Sequence, residues 1–174
     1  MVDGSDDAAT VAKTFKLGPR PGVPRDVQAS FLLWLAAVAM GVVETIVRVI
    51  DLLYGDSSLS MGTIIGLIFR LIVYAAVVYI IAQMRLGKNW ARVALTILLG
   101  GIGTLSLVID PISWLVEGNS PGELLTEADL LFILIAPIRV LHLAAVIAAL
   151  VFMFRPTANN YFKRPSEVRD TSGG

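Results

Sequence analysis

The chain has 174 residues, 56% of them hydrophobic and 16% charged, with a mean hydropathy of +0.76 and a formal net charge of zero. A neutral chain exerts no bulk electrostatic pull on nucleic acid, so a nucleic-acid partner is not expected. With no cysteine and one histidine, disulfides, thiolate metal sites, iron–sulfur clusters, thiol redox chemistry and a His-rich metal centre all lack their ligands, and no metal or cofactor is expected.

Residues 1–25 are polar and rich in proline and glycine ("KLGPRPGVPRD"), which predicts a disordered tail and no signal peptide. Four apolar blocks follow, at about 29–53, 60–84, 91–115 and 129–154. Each is long enough to cross a hydrocarbon core of about 30 Å as a helix. Short connections make successive helices antiparallel neighbours, so the expected fold is an all-α, four-helix transmembrane bundle running up-down-up-down over residues 26–155. Residues 156–174 read as a second polar tail.

Basic residues set the expected orientation. Lys13, Lys16, Arg20 and Arg25 precede the first span, Arg85, Lys88 and Arg92 surround the second connection, and Arg155, Lys163, Arg164 and Arg169 follow the fourth span. The other two connections carry only acids: Asp56, Glu117, Glu123, Glu127 and Asp129. The positive-inside rule places both termini in the cytoplasm of a multi-pass plasma-membrane protein. Ser58 or Ser60 can cap the second span, Asn89 the third, and "TEAD" at 126–129 is a capping-box variant for the fourth. Trp34, Trp90 and Trp114 are expected at the interfaces as an aromatic belt. Small residues mark faces where helices can approach closely: Ala37 and Gly41, Gly62 and Gly66, Gly100 and Gly103, Ala145 and Ala149.

The stretch "VVETIVRVID" at 42–51 puts charge inside the first span. Ala37, Gly41, Glu44, Arg48 and Asp51 fall on one helical face, which predicts pairing of Glu44 with Arg48 at i,i+4 and of Arg48 with Asp51 at i,i+3. Arg70 lies in the second span on the face of Gly62, Gly66 and Tyr74, Asp110 late in the third span, and Arg139 and His142 in the fourth, just after Pro137. Three arginines and three acids balance, as a mutually paired intramembrane network requires. The polar groups cluster in the outer half, and the cytoplasmic half reads as nearly pure hydrocarbon. Two expectations compete: an ion network of Glu44, Arg48, Asp51, Arg70, Asp110 and Arg139 that fixes helix order, or a polar pocket in which Arg70, Arg139 and His142 receive an anionic head group.

No HExxH, GxSxG, phosphate-binding loop or Cys/His pair is legible, so a non-enzymatic role is expected. Glu44 is the one carboxylate suited to proton coupling, and Arg48 one turn away favours its ionised form, which weakens an exporter reading. The alanine-, valine-, glycine- and arginine-rich usage, with "GKNWARVAL" and "MFRPTANNYF", resembles small four-span membrane proteins of actinobacteria over residues 26–162. The resemblance implies an accessory subunit of a larger hetero-oligomeric membrane complex in contact with lipids. An envelope fatty-acid import system is the preferred host. The alternatives are a respiratory supercomplex or a small carrier of an anionic lipid.

Overall fold

The computed structural model of the protein describes residues 22–54, 60–118 and 130–163. The described chain is all helical: α1 (Arg25–Tyr54), α2 (Met61–Arg85), α3 (Asn89–Leu95), a π-helical segment (Thr96–Gly103), α4 (Thr104–Val116), α5 (Leu130–Met153) and α6 (Pro156–Lys163). The run from α3 to α4 forms one continuous third span, and four helices in all are long and apolar enough to cross a membrane. They pack as a bundle, with α1 as its hub. α1 packs most extensively on α5, next on α2, while the third span leans on α5 and meets α2 chiefly through the short turn that joins them. Burial follows this order: 39% of the apolar window of α1 is buried, 11% of that of α2 and 6% of that of the third span.

The joints are built by local chemistry. Ser60 caps α2, its Oγ accepting from Thr63 N at 3.2 Å, as the sequence predicts. α2 ends in a Schellman arrangement: Gly87 N donates to Met84 O at 2.8 Å and Lys88 N to Gln83 O at 3.2 Å, with Gly87 at φ 79°. That left-handed conformation strains any residue with a Cβ, so glycine is required at this turn. Asn89 does not cap the third span as expected. Lys88 precedes the helix without a side-chain cap, and Asn89 is its first helical residue. The 126–129 motif lies outside the described residues.

The core sits at the end where α1 begins and α5 finishes, called here the base. Phe31, Trp34, Ile81, Met84, Leu95, Val146 and Met153 are buried there together. Trp34 is therefore a core residue, fully enclosed, and not part of an aromatic belt. Its position one turn after Ser30 points it into the α1–α5 contact. The expectation that the half away from the Glu44 stripe is nearly pure hydrocarbon fails at the base, on whichever side of the membrane it lies. Arg85 is fully buried, its guanidinium 4.3 Å from the Phe31 ring centre and its Nη2 donating to Gln28 Oε1 at 2.8 Å. Arg92 stacks over the Phe154 ring at 4.1 Å. Arginine tolerates such sites because its flat, weakly hydrated fork can bond at the edge and stack on its face.

The segment after Met153 is not a disordered tail as far as residue 163. Pro156, suited to the first helical position, opens α6. Ala158, Tyr161 and Phe162, at i, i+3 and i+4, form its buried face. Tyr161 OH donates to the Arg85 carbonyl at 3.1 Å, Arg155 pairs with Asp26 at 3.2 Å, and Thr157 also bonds Asp26. Residues 1–21 and 164–174 lie outside the described chain.

Small residues line the most extensive helix contact. Ala37, Ala145 and Ala149 are buried between α1 and α5, and Ser30 Oγ donates to the Ala149 carbonyl at 2.9 Å. Gly100 is equally required for close approach, since a Cβ there would meet Leu150 at 3.1 Å. Gly62 and Gly66 do not pack against another helix among the described residues: a Cβ at Gly62 would meet only its own cap Ser60, and one at Gly66 would meet nothing within 4 Å. Ala149→Leu should force α1 and α5 apart, at a cost of about 1–3 kcal/mol typical of overpacking. A lower melting temperature in detergent, with Gly66→Leu unaffected in the same assay, is the expected result.

Candidate functional site

Above the base the bundle opens. α2 and the third span diverge, leaving a cavity of about 1020 Å³ against the upper part of α1. Its wall is mostly apolar, from residues such as Val73, Val77, Leu98 and Ile102, with the charged groups Glu44, Arg48 and Arg70, the hydroxyls of Thr45, Thr63, Tyr74 and Ser106, and His142 among them. This volume is at the upper end of typical ligand sites, and an apolar wall with a few placed polar groups is their usual composition.

Glu44 organises the wall. Arg139 on α5 donates to its Oε1 through Nε at 3.2 Å and Nη2 at 3.0 Å, and Arg48 Nε reaches the same oxygen at 3.2 Å. Glu44 is largely enclosed, with 12% of its side chain exposed. The expected Glu44–Arg48 pair and an interhelical Glu44–Arg139 pair are thus both present. The expected Arg48–Asp51 pair is not. Arg48 turns one helical turn back to Glu44, where two charge-assisted contacts reinforce each other, and Asp51 stands exposed.

Arg70 departs most from the network reading. It does not reach Glu44. Its Nη1 lies 3.4 Å from Thr45 Oγ1, and no ion pair involves it among the described residues. The reason is a hydroxyl cluster that the sequence reading passed over. Thr45 Oγ1 donates to the Gly41 carbonyl at 2.8 Å, Tyr74 OH donates to the same carbonyl at 2.7 Å, and the two hydroxyls are 2.9 Å apart. The bare α-carbon of Gly41 makes room for this, since a Cβ there would come 3.1 Å from the Tyr74 hydroxyl. Tyr74 thereby locks α2 onto α1, and Arg70, one turn earlier on the same face, hangs over the cavity beside Thr45. The signal for it was present: a Thr four residues after a Gly on a helix facing a Tyr is a back-bonding pattern.

His142, one turn below Arg139, lines the cavity. Arg139 is committed to Glu44, so of the candidate anion pocket of Arg70, Arg139 and His142 it is Arg70 whose charge has no acid partner among the described residues. Asp110 lies on α4, and its side chain is outside the described residues. Among the described side chains that line the cavity, the carboxylate Glu44 stands with the guanidiniums of Arg48 and Arg70. No group of three or more His, Asp or Glu residues able to hold a metal occurs among the described residues. Comparison with models of protein families, with curated proteins and with solved structures finds no match to this chain.

Glu44→Gln removes the acceptor charge and leaves partly buried Arg139 uncompensated. The expected loss is about 2 kcal/mol, between the values for exposed and fully buried pairs. The double change Glu44→Gln with Arg139→Gln should recover part of that loss in a thermodynamic cycle. Strict additivity would show that the two groups are not coupled.

Proposed function

We propose that the protein is a non-enzymatic accessory subunit of a larger integral membrane complex, with an envelope lipid-import system as its preferred host. The observation that supports this most is the cavity: a lipid-sized, mostly apolar space lined by Arg70, which has no acid partner among the described residues, inside a four-span bundle whose described residues carry no nucleophile–base constellation to act on an occupant. Exposed apolar faces on α2 and the third span, such as Ile65, Phe69 and Ile72 on the former, give both lipid and neighbouring spans a surface to pack on. The charge of Arg70 favours a second reading, a small carrier of an anionic lipid that acts alone.

Orientation follows from charge. Arg85, Lys88, Arg92, Arg155 and Lys163 all belong to the base and its turn, which we therefore place on the cytoplasmic side, with the cavity in the outer half of the membrane. The chain is free of cysteine, so a single Lys163→Cys variant is a unique label site. A membrane-impermeant maleimide should modify it only after the cells are opened, and labelling of intact cells would reverse the orientation.

Purification in mild detergent through a C-terminal tag should bring down a complex larger than the 18.7 kDa chain, with lipid-import components identified by mass spectrometry. A lone chain that still binds lipid would select the carrier reading. A complex of respiratory subunits would replace the preferred host.

A further inference from the structure

We infer that the cavity between α1, α2 and the third span is a binding site for a long-chain carboxylate, with the head group held by Arg70 and the hydrocarbon chain lying between α2 and the π-helical segment. This deepens the lipid-import reading by naming the ligand class, and it rests on that reading only for the ligand's biological source.

Four observations carry it. First, of the arginines in the upper half, Arg48 and Arg139 pair with Glu44, while Arg70 has no acid partner among the described residues. A guanidinium in the hydrocarbon region is costly unless an anion or water meets it. Second, Arg70 is positioned. Its Nη1 is at Thr45 Oγ1, so the fork is directed across the cleft toward α1 and not along α2 toward the outer surface. Third, depth selects the head group. Arg70 lies nine residues into α2, or roughly 14 Å from its outer end, close to the middle of a core of about 30 Å. A fatty-acid carboxylate is small enough to reach that level, and its two oxygens match the planar fork. A phospholipid would have to bring a glycerol backbone and a second chain to the same depth. Fourth, the space beside Arg70 is kept open by residues that could have filled it. Gly66, one turn away, lines the cavity and has no atom within 4 Å of its Cβ position. Across the cleft, Leu98, Leu99, Ile102 and Gly103 of the π-helical segment supply an apolar wall.

The test uses photoactivatable palmitic acid, its methyl ester and a photoactivatable phosphatidylglycerol on the full-length chain, both in native membranes and after extraction in mild detergent. The acid should label peptides within 64–80 and 98–107, and excess palmitate but not methyl palmitate should compete. Loss of a charge-assisted hydrogen bond should reduce labelling by about ten-fold in the ester and in Arg70→Gln, with Arg70→Lys intermediate. Gly66→Leu, which places a side chain in the empty space, should abolish labelling while the melting temperature holds, and it decides the matter if Arg70→Gln fails to fold. Equal labelling by acid and ester, preference for phosphatidylglycerol, or full labelling of Gly66→Leu would each overturn the proposal. The assay needs no partner chain. Failure to label therefore counts against this site, and failure to co-purify a complex counts against the subunit role, each without deciding the other.

Discussion

The contact of α1 with α5 is the constraint on which the other features depend. Lipid tails are as apolar as side chains, so helices in a membrane gain little by merely covering apolar surface. They associate where backbones come close and polar groups bond across the gap. Ala37, Ala145 and Ala149 supply the close approach and Ser30 the bond to the Ala149 carbonyl. Higher along the same two helices, Arg139 reaches Glu44, so the pair is joined near the base by a neutral bond and farther up by a charged one. This contact fixes the direction of Glu44 and, through the helix, of Gly41 and Thr45. Tyr74 then finds the Gly41 carbonyl and brings α2 into register.

The base and the open end use arginine in opposite ways. At the base Arg85 is fully enclosed, with Phe31 on its face, Gln28 at its edge and Tyr161 on its carbonyl. Phe31 and Gln28 come from α1 and Tyr161 from α6, so the residue ties α1, α2 and α6 together. At the open end Arg139 is tied to Glu44, while among the described residues Arg70 meets a hydroxyl at the long end of hydrogen-bond range and no acid. The same side chain is a structural tie in the first two cases and an available charge in the third. What separates them is whether an acceptor of matching geometry lies on the facing helix.

Much of the architecture was legible because it is written in long, simple signals. Four apolar runs, the Ser60 cap and the i,i+4 spacing of Glu44 and Arg48 each rest on local geometry, and all are present. The failures share a cause: they depend on which face of one helix meets which face of another. Asp51 was read as a partner of Arg48 from spacing alone, yet the carboxylate that Arg48 meets already faces a second arginine from α5. Gly62 and Gly66 match a packing motif, but no other helix among the described residues comes to meet them. Arg85 was read as a loop charge because it ends a span, and only the fold of α6, itself taken for tail, reveals why it is enclosed. The π-helical segment, with Thr104 Oγ1 donating to Leu99 O five residues back, leaves no mark in composition beyond its glycines.

The π-helical segment and Gly66 together bear on why a cavity persists at all. In a water-soluble protein an apolar void of this size would be removed by collapse, since water would not fill it favourably. In a bilayer the void costs little, because a lipid tail fills it as well as a leucine would. It follows that the apolar wall cannot by itself choose an occupant: any acyl chain satisfies it equally. Selectivity must come from the polar groups, and most of these are already committed to one another, Glu44 to two arginines, and Thr45 and Tyr74 to the Gly41 carbonyl. Arg70 has no acid partner among the described residues, so in the proposed carboxylate site discrimination reduces to the presence or absence of one anionic oxygen pair at the depth of a single guanidinium.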